Sequence, residues 1–429
     1  MGRTFSLAWL SAALLATSAQ AAPVDLVTLY KDLHAHPELG FQETRSAGIL
    51  AAEARAAGWQ VTEKVGGTGV VAMMKNGPGP TVLVRADMDA LPVKEITGLP
   101  YASQVTGHFK DGPETPVMHA CGHDIHMTVW AGVVRALAQK KTGWRGTVIM
   151  VAQPAEEIIQ GARAMLADGL YARFGRPDFA LALHDGTGPA GTVQVNLAAN
   201  GSAADTVDIE VKGVGGHGAY PADTKDPVVL ASRIVLALQT LVSRENDPFR
   251  PAVVTVGSIH GGTKHNIIGE SVHLQLTVRS FDAAVQTKLI DGIKRIARGE
   301  AIAAGLPESL YPQVTVDPNG TQPTINTTAL AVRIKALFQK TLGPDKVLDG
   351  NPSMASEDYN QFGLADPRIQ TVMYSLGAVN AEVWTKAQQD GTKLPGPHNP
   401  RWAPDPAPTI ATGVATMTDA VMMLLPKSR

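Results

Sequence analysis

The hydrophobic and polar positions in the first half of the chain alternate between helical and strand periods. Helix-like periods cover residues 47–57 and 127–139, and short apolar runs typical of buried strands cover 81–86, 146–152 and 179–183. Such alternation predicts an α/β layer with a largely parallel sheet. In sheets of this kind, ligands bind beyond the carboxyl ends of the strands.

From about residue 201 to residue 317 the order of the predicted elements changes to β-α-β-β-α-β, which is typical of a ferredoxin-like sandwich. The periods that give this order cover 206–212, 227–244, 252–260, 271–281, 284–304 and 313–316. Helix and strand patterns then resume at 329–342, 371–375 and 408–424. We therefore expect one domain of residues 22–200 and 318–429, interrupted by an inserted domain of residues 201–317.

The first 21 residues read as a signal peptide. Arg3 gives a positive start, an apolar stretch follows, and Ala19-Gln20-Ala21 is a small-x-small cleavage site. The apolar stretch is shorter than the ~20 residues of a membrane span, and no later stretch reaches that length. The mature protein is therefore expected to begin at Ala22 and to be exported, either periplasmic or secreted. A net charge of −2 gives no reason to expect nucleic acid as a partner.

The only cysteine of the 429 residues, Cys121, lies among three histidines and an aspartate in the run from Met118 to His126. A lone thiol in an exported protein is open to oxidation unless something occupies it, and a metal ion would do so. Cys121 and His123 offer the thiolate and imidazole that zinc takes as ligands. Two alternatives are an inert buried cysteine and a catalytic thiol paired with His123 or His184.

Polar residues follow three of the predicted strands at their carboxyl ends. Asp87 and Asp89 follow the run 81–86, Glu156 and Glu157 follow 146–152, and His184 follows 179–183. An adjacent pair of glutamates at a strand end can direct one carboxylate to a metal and the other to its water, although such a pair is more commonly a solvated loop start. A further candidate is His398, in a Gly-Pro-His-Asn-Pro loop, whereas His119 and His126 are either structural or supporting groups.

Five short motifs are spread along the chain. They are Asp87-Met88-Asp89-Ala90-Leu91-Pro92, Met118-His119-Ala120-Cys121-Gly122-His123-Asp124, Gln153-Pro154-Ala155-Glu156-Glu157, Gly215-Gly216-His217-Gly218-Ala219 and Ser356-Glu357-Asp358-Tyr359. Taken together and in this order, they resemble the dinuclear metallo-amidohydrolase family that includes hippurate hydrolases, aminoacylases, plant auxin-conjugate (IAA-amino acid) hydrolases and related carboxypeptidases. The resemblance implies a zinc-peptidase-like catalytic domain with a mostly parallel central sheet, interrupted by a ferredoxin-like α+β lid or dimerisation domain.

The resemblance also assigns roles within the site. It implies two divalent metal ions bridged by Cys121, and it makes Glu156 the general base. Asp89 would orient a ligand imidazole, a role for which Asp87 and Asp124 also compete. Thiolate and imidazole ligands favour zinc, with manganese or cobalt as alternatives. The remaining metal ligands implied are His123, Glu157, His184 and His398.

Three residues of the inserted domain complete the implied site. Arg279 and Asn266 would hold the free carboxylate of the substrate, and His217 would stabilise an oxyanion. They would act on the other protomer of a homodimer or close over their own site by a hinge motion. The expected activity is hydrolysis of the amide bond of N-acyl or N-aroyl amino acids. Alternatives are a metallocarboxypeptidase or dipeptidase acting on short peptides, and a non-catalytic binding protein of the same fold.

Overall fold

The computed structural model describes residues 25–109 and 112–427, so the expected signal peptide lies outside the described residues. The first part of the chain alternates helices and strands. Its elements are α1 (Leu26–Ala35), α2 (Thr44–Ala56), β1 (Gln60–Val65), β2 (Gly69–Asn76), β3 (Thr81–Asp87), β4 (Thr106–His108), β5 (Glu114–Pro116), α3 (His123–Gln139), β6 (Gly146–Gln153), α4 (Gly161–Ala167), α5 (Leu170–Phe174), β7 (Phe179–Pro189), β8 (Val193–Gln194) and β9 (Ala199–Gly201).

A second group of elements follows without interruption. It consists of β10 (Ala203–Lys212), β11 (Gly216–His217), α6 (Pro227–Thr240), β12 (Ala252–Gly261), β13 (Ile267–Ile268), β14 (Ser271–Ser280), α7 (Ala283–Ala303) and β15 (Gln313–Val316). The chain then returns to the first group. The returning elements are β16 (Thr324–Ile325), α8 (Thr328–Leu342), β17 (Val347–Leu348), α9 (Asn360–Leu364), β18 (Gln370–Val379), α10 (Ala381–Asp390) and α11 (Pro406–Leu424).

The large sheet has eight strands in the order β1-β2-β6-β3-β7-β18-β8-β17. Its four central strands, β6, β3, β7 and β18, run parallel to one another, which confirms the prediction of a mostly parallel central sheet. The strands outside them, β2 and β8, pair with β6 and β18 in the antiparallel sense. The register places Asp87 beside Gln153 and His184 beside Ser375. Because parallel strands end at one edge, the residues that follow β3, β6 and β7 emerge close together.

Both faces of the large sheet are covered, which explains why its central strands read as continuous apolar runs. Val82 and Val84 of β3 contribute to a core shared with α1, α2, α3, α8 and α11. Leu83, which points to the opposite face, belongs to a core shared with α4, α5 and α9. Each fully buried aliphatic side chain of this kind contributes roughly 1.5–3 kcal/mol. The strand ends are therefore held on a rigid support.

The small sheet is antiparallel, with the order β12-β14-β10-β15, and α6 and α7 pack against it. Two helices on one face of this strand order confirm the predicted ferredoxin-like arrangement. Alternate residues of β10 and β14 are buried under the helices. The other face of the sheet carries half-buried and exposed residues, among them Thr206, Thr277 and Arg279.

Helix α6 is apolar on two faces. Leu230, Ile234 and Leu238 pack into the core of the small sheet. Val229 and Leu236 lie on the other side, with 56% and 73% of their surface exposed. Contrary to the expectation that no stretch after the signal peptide reaches the length of a membrane span, the described segment Pro227–Glu245, which combines α6 with a π-helical turn, is long and apolar enough by length and composition to cross a membrane. Its packing on the sheet accounts for one apolar face, and its exposed face is left without a partner within the described chain.

Candidate metal centre and active-site cavity

The turn from Cys121 to His123 is shaped by glycine. Gly122 has a φ of 85°, in the left-handed region, and a Cβ at this position would lie 2.2 Å from Asp185 Oδ1. Helix α3 begins directly after it, one turn earlier than the period at 127–139 predicts. His123 is therefore the first residue of a helix held rigidly in the core, rather than part of a loop.

Four other predicted ligands converge around Cys121. Its Sγ lies 3.2 Å from Nε2 of His398 and 3.4 Å from Nε2 of His184. Oε1 of Glu157 lies 3.4 Å from His398 Nε2 and 3.9 Å from His123 Nε2. Cys121 thus belongs to two groups, one with His123 and His184 and one with Glu157 and His398, and within each group the donor atoms lie within 4.8 Å of one another.

The donor atoms have the properties of a metal site. His123 Nε2 and Glu157 Oε1 are buried without a hydrogen-bond partner, which is costly unless a cation binds them. Burial and the nearby charges of Glu157 and Glu156 raise the pKa of the Cys121 thiol well above its ordinary range. A bound cation would reverse that effect and favour the thiolate. Thiolate, imidazole and carboxylate donors fit a transition-metal ion.

Backbone contacts orient these ligands. The Nδ1 atom of His123 lies 2.7 Å from the Asp89 carbonyl oxygen, and Nδ1 of His184 lies 2.7 Å from the Asp185 carbonyl oxygen. Each carbonyl accepts the Nδ1 proton, which leaves Nε2 free to bind a cation. The backbone N–H of His398 donates to the Ala120 carbonyl at 2.6 Å, so the C-terminal loop is fixed beside the cysteine.

The Asp89 carboxylate holds the two adjacent glutamates in place. Its Oδ1 accepts a hydrogen bond from the backbone N–H of Glu156 at 3.1 Å, and its Oδ2 accepts one from Glu157 at 3.0 Å. Oδ1 also lies 3.4 Å from His123 Nδ1. One buried carboxylate therefore supports both the loop after β6 and the first histidine of α3.

The two glutamates differ in their electrostatic surroundings. Burial and the charges of Glu357 and Glu157 raise the pKa of Glu156 well above its ordinary value. For Glu157, burial raises the pKa, but the neighbouring imidazoles of His398 and His123 outweigh it, so the pKa is lowered. Adjacent carboxyl groups whose pKa values move apart can divide the work of proton transfer and charge binding between them. Oε2 of Glu156 lies 3.8 Å from His123 Nε2, at the edge of the ligand cluster.

A buried network of ion pairs lies next to the metal ligands and supports them. The Arg85 guanidinium is paired with Asp87 at 2.5 Å and with Glu357 at 2.7 Å. His126 bridges Asp87 Oδ1 at 2.5 Å and Asp185 Oδ1 at 3.0 Å. We did not predict Arg85, Asp185 or Glu357 as site residues, although an arginine inside an apolar strand was a visible signal. The structure thus gives His126 a supporting position.

The remaining candidates of the Cys121 motif, His119 and Asp124, make no hydrogen bond or ion pair with the predicted metal ligands within the described chain. Both ring nitrogens of His119 are buried without a hydrogen-bond partner, and burial lowers the pKa of this histidine to about 4. Asp124 pairs with His34 at 2.6 Å instead of with a ligand imidazole. Asp89 and Asp87 remain as the aspartates close to His123.

A cavity of about 920 Å³ separates the ligand cluster from the helix-free face of the small sheet. Glu156, Glu157 and His398 line one side, and Arg279 of β14 lines the other. The Arg279 guanidinium donates to Ser356 Oγ at 2.6 Å and to Thr277 Oγ1 at 3.1 Å. These contacts fix a planar cation, suited to a carboxylate, in the wall that the small sheet contributes to the cavity.

The structure does not bring His217 and Asn266 to this cavity. Both residues are exposed, on or beside the short β11–β13 pair of the small-sheet region. Nδ1 of His217 accepts a hydrogen bond from the Ala219 backbone N–H at 3.1 Å, and the Asn266 carbonyl accepts one from Gly218 at 2.9 Å. Neither lines the cavity within the described chain.

A mostly parallel sheet with clustered thiol, imidazole and carboxylate donors at its carboxyl edge defines a metal-dependent hydrolase. The profile of peptidase family M20/M25/M40 matches residues 83–390. The chain is 35% identical to a hippurate hydrolase of Campylobacter jejuni, over 77% of this chain and 82% of that protein. It is 33% identical to IAA-amino acid hydrolase ILR1-like 2 of Arabidopsis thaliana, over 80% and 75% of the two chains. The chain therefore belongs to peptidase family M20/M25/M40.

A solved structure agrees with this assignment. The YXEP protein of Bacillus subtilis, described as a dinuclear metal-binding peptidase of the M20 family, superimposes with a TM-score of 0.75 at 26% identity. The match covers 93% of this chain and 97% of that one. Membership confirms the predicted family resemblance, the fold class and the prediction of a metal-dependent enzyme that hydrolyses amide or peptide bonds.

Proposed function

We propose that the protein hydrolyses the amide bond of N-acyl or N-aroyl amino acids. The observation that carries this proposal is that one cavity is lined both by candidate metal ligands of the large sheet and by Arg279 of the small sheet. An N-acyl amino acid has an amide carbonyl group that suits the metal ligands and a free carboxylate that suits Arg279. The names of the hippurate and IAA-amino acid hydrolases also support amide-linked amino acids as the substrate class.

We propose that the site holds two divalent ions, with zinc favoured over manganese and cobalt by its thiolate and imidazole donors. Cys121 would be shared between the two positions, with His123 and His184 on one side and Glu157 and His398 on the other. When bound, the ions supply polarisation of the amide carbonyl and acidification of water. Asp89 would keep His123 and the backbone of both glutamates in place for this task.

We propose Glu156 as the general base. Its carboxyl group is buried, reaches the edge of the ligand cluster, and is held by the Asp89 contact to its backbone N–H. A raised pKa suits a group that accepts a proton from water and returns it to the leaving nitrogen. Arg279 would bind the carboxylate of the substrate and hold the amide within reach.

The first test compares N-acetyl, N-benzoyl and unblocked dipeptide substrates, each with and without a chelator. The expected result is chelator-sensitive release of amino acid from the blocked substrates, restored by Zn²⁺, Mn²⁺ or Co²⁺. Preference for unblocked dipeptides would favour a metallocarboxypeptidase or dipeptidase. Chelator-resistant turnover would favour a Cys121 nucleophile, and no turnover of any substrate by metal-loaded protein would favour a binding protein.

We propose that residues 201–317 form an inserted lid domain, between catalytic segments 22–200 and 318–429, and that two chains pair through it. The exposed side chains of Val229 and Leu236 form an apolar stripe on α6, and β12 is an edge strand of the small sheet. Pairing there would cover apolar surface and an unpaired strand edge. Leu236→Glu is expected to convert a dimer into a monomer in light-scattering measurements.

His217 and Asn266 lie outside the cavity of their own chain, so we propose that they act on the partner's site. The test mixes a His217→Ala dimer with a Glu156→Gln dimer under conditions that exchange subunits. If the lid acts in trans, each mixed dimer contains one site with both residues intact, and activity returns. If each lid serves its own site, every site lacks one residue and activity stays absent.

We also propose that the protein is exported, on the basis of the signal-peptide pattern in residues 1–21. The measurement is cell fractionation together with N-terminal sequencing of the purified protein. The expected product begins at Ala22 and is found in the periplasm or the medium. An intact Met1 in the cytoplasmic fraction would contradict the proposal.

A further inference from the structure

The loop between β6 and α4 contains two non-glycine residues with left-handed backbone conformations. Ala155 has a φ of 51° and Ile159 has a φ of 58°. For a β-branched residue such as isoleucine this conformation is a genuine outlier, because the branched side chain crowds the backbone. Strain of this kind persists only where the surrounding structure imposes it, and it is concentrated at functional sites.

Three buried carboxylates impose the conformation. Ala155 N–H donates to Glu43 Oε1 at 2.8 Å, and Ala162 N–H donates to Asp358 Oδ2 at 2.9 Å. Between them, Asp89 accepts the N–H groups of both adjacent glutamates. The path of the loop is thus fixed at its start, middle and end, independently of the side chain at position 159.

Local hydrogen bonds close the loop around position 159. Ile159 N–H donates to the Glu156 carbonyl at 2.7 Å, and Gly161 N–H donates to the Ala155 carbonyl at 3.1 Å. A glycine at position 159 would adopt this geometry without strain. The chain instead carries a branched alkyl group there, half-buried and lining the cavity together with Ile158. The isoleucine side chain therefore does not stabilise the backbone conformation of the loop. It does lie where a molecule bound in the cavity would contact it.

Resting on the proposed function, we infer that Ile159 is a specificity-determining residue that contacts the acyl group of the substrate and favours large apolar acyl groups. Arg279 directs the amino-acid half of the substrate toward the small sheet. The acyl half then extends on the side of the large sheet, where Ile159 follows Glu157 by two residues. An alkyl wall at this point contributes to binding of an aromatic or branched acyl group and much less to binding of an acetyl group.

The experiment measures kcat/KM of the metal-loaded full-length enzyme for N-benzoyl and N-acetyl derivatives of one amino acid. In Ile159→Gly, the ratio of benzoyl to acetyl activity is expected to fall by about tenfold or more, since one methylene in an apolar pocket is already worth ~10-fold. Ile159→Val, which keeps the branched Cβ, is expected to retain most of the preference. In a second series, the acyl group is fixed and the amino acid is varied. Ile159→Gly is expected to rank these substrates by kcat/KM in the same order as the wild type.

Lys64 provides a matched control. It has nearly the same φ, 59°, at an exposed position in the irregular pairing of β1 with β2, and it does not line the cavity. Lys64→Gly relieves the same kind of backbone strain and is expected to leave both substrate series unchanged. The melting temperature of Ile159→Gly is expected to be equal to or above that of the wild type, as for Lys64→Gly.

Two outcomes would overturn the inference. If Ile159→Gly keeps the wild-type benzoyl-to-acetyl ratio, or changes only the amino-acid series, Ile159 does not contact the acyl group. If it lowers the melting temperature and leaves selectivity unchanged, Ile159 is a packing residue. Failure of the proposed function is a separate result, because the wild type itself would then hydrolyse neither derivative.

Discussion

Replacing Asp89 with asparagine is expected to weaken metal binding without unfolding the protein. Asp89 is 1% exposed, and the two oxygens of its side chain accept hydrogen bonds from the backbone N–H groups of Glu156 and Glu157. A carboxylate only accepts hydrogen bonds, so it satisfies both donors. Asparagine keeps the shape but has one acceptor oxygen, and its amide NH₂ would face the second backbone N–H. One buried donor therefore loses its partner.

The size of the effect follows from that lost contact. Leaving a buried donor unsatisfied costs about 1–3 kcal/mol, and the remaining hydrogen bond loses its charge assistance. Movement of the Glu157 backbone shifts a predicted metal ligand, and the support beside His123 Nδ1 changes as well. Substitution of groups that support metal ligands typically lowers metal affinity by about 10- to 100-fold. We expect the loss of metal affinity in Asp89→Asn to fall in that range, and we expect kcat to fall accordingly.

The assay is metal content measured after dialysis against a series of metal-buffered solutions. Glu38→Gln is the control, because Glu38 accepts backbone N–H groups of Arg45 and Ser46, both at 2.8 Å, with its two oxygens. That variant loses the same kind of contact away from the ligands, so its thermal stability should fall while its metal affinity stays unchanged. Metal affinity of Asp89→Asn within twofold of the wild type, or an equal loss in Glu38→Gln, would refute the reasoning.

Three further predictions concern other parts of the site. Glu156→Gln should lower kcat by about 10²- to 10⁴-fold while metal content stays unchanged, and normal turnover would show that the base is elsewhere. Arg279→Lys should raise KM for carboxylate substrates more than it lowers kcat, because lysine lacks the planar fork, and steady-state kinetics separate the two. Hydrogen bonds from His34 to Asp124 and Glu95 outweigh burial and raise the pKa of His34 from 6.5 to about 10. The contribution of His34 to stability should therefore be full below pH 6.5 and decline as pH rises to about 10. In urea unfolding, the difference in free energy of unfolding between the wild type and His34→Gln should narrow over that range.

The sequence alone determined the four central strands of the large sheet and the residue types at the edge where they end. Apolar runs at 81–86, 146–152 and 179–183 predict strands because burial on both faces requires apolar residues at every position. The polar residues directly after them fall at one edge because parallel strands share a direction. Cys121 and His123 could be chosen as candidate donors from residue type and short spacing, whereas Glu157, His184 and His398 were assigned as ligands by the family resemblance.

Other features were decided only by the tertiary structure. His398 contacts Cys121 across 277 residues of sequence, and the position of its loop depends on packing and on a backbone hydrogen bond to Ala120. The arrangement of Arg85 with Asp87 and Glu357 depends on which strands become neighbours, which the pattern along one strand does not encode.

Tertiary packing also decided where the three predicted substrate-binding residues lie. The β14 register places Arg279 on the helix-free face of the small sheet, toward the cavity, whereas His217 and Asn266 lie exposed elsewhere in that region. The strained backbone of Ile159 is likewise imposed by carboxylates from distant segments. Local sequence fixes residue chemistry and the period of each element, but the distance between segments far apart in the chain is set by the packing of the whole fold.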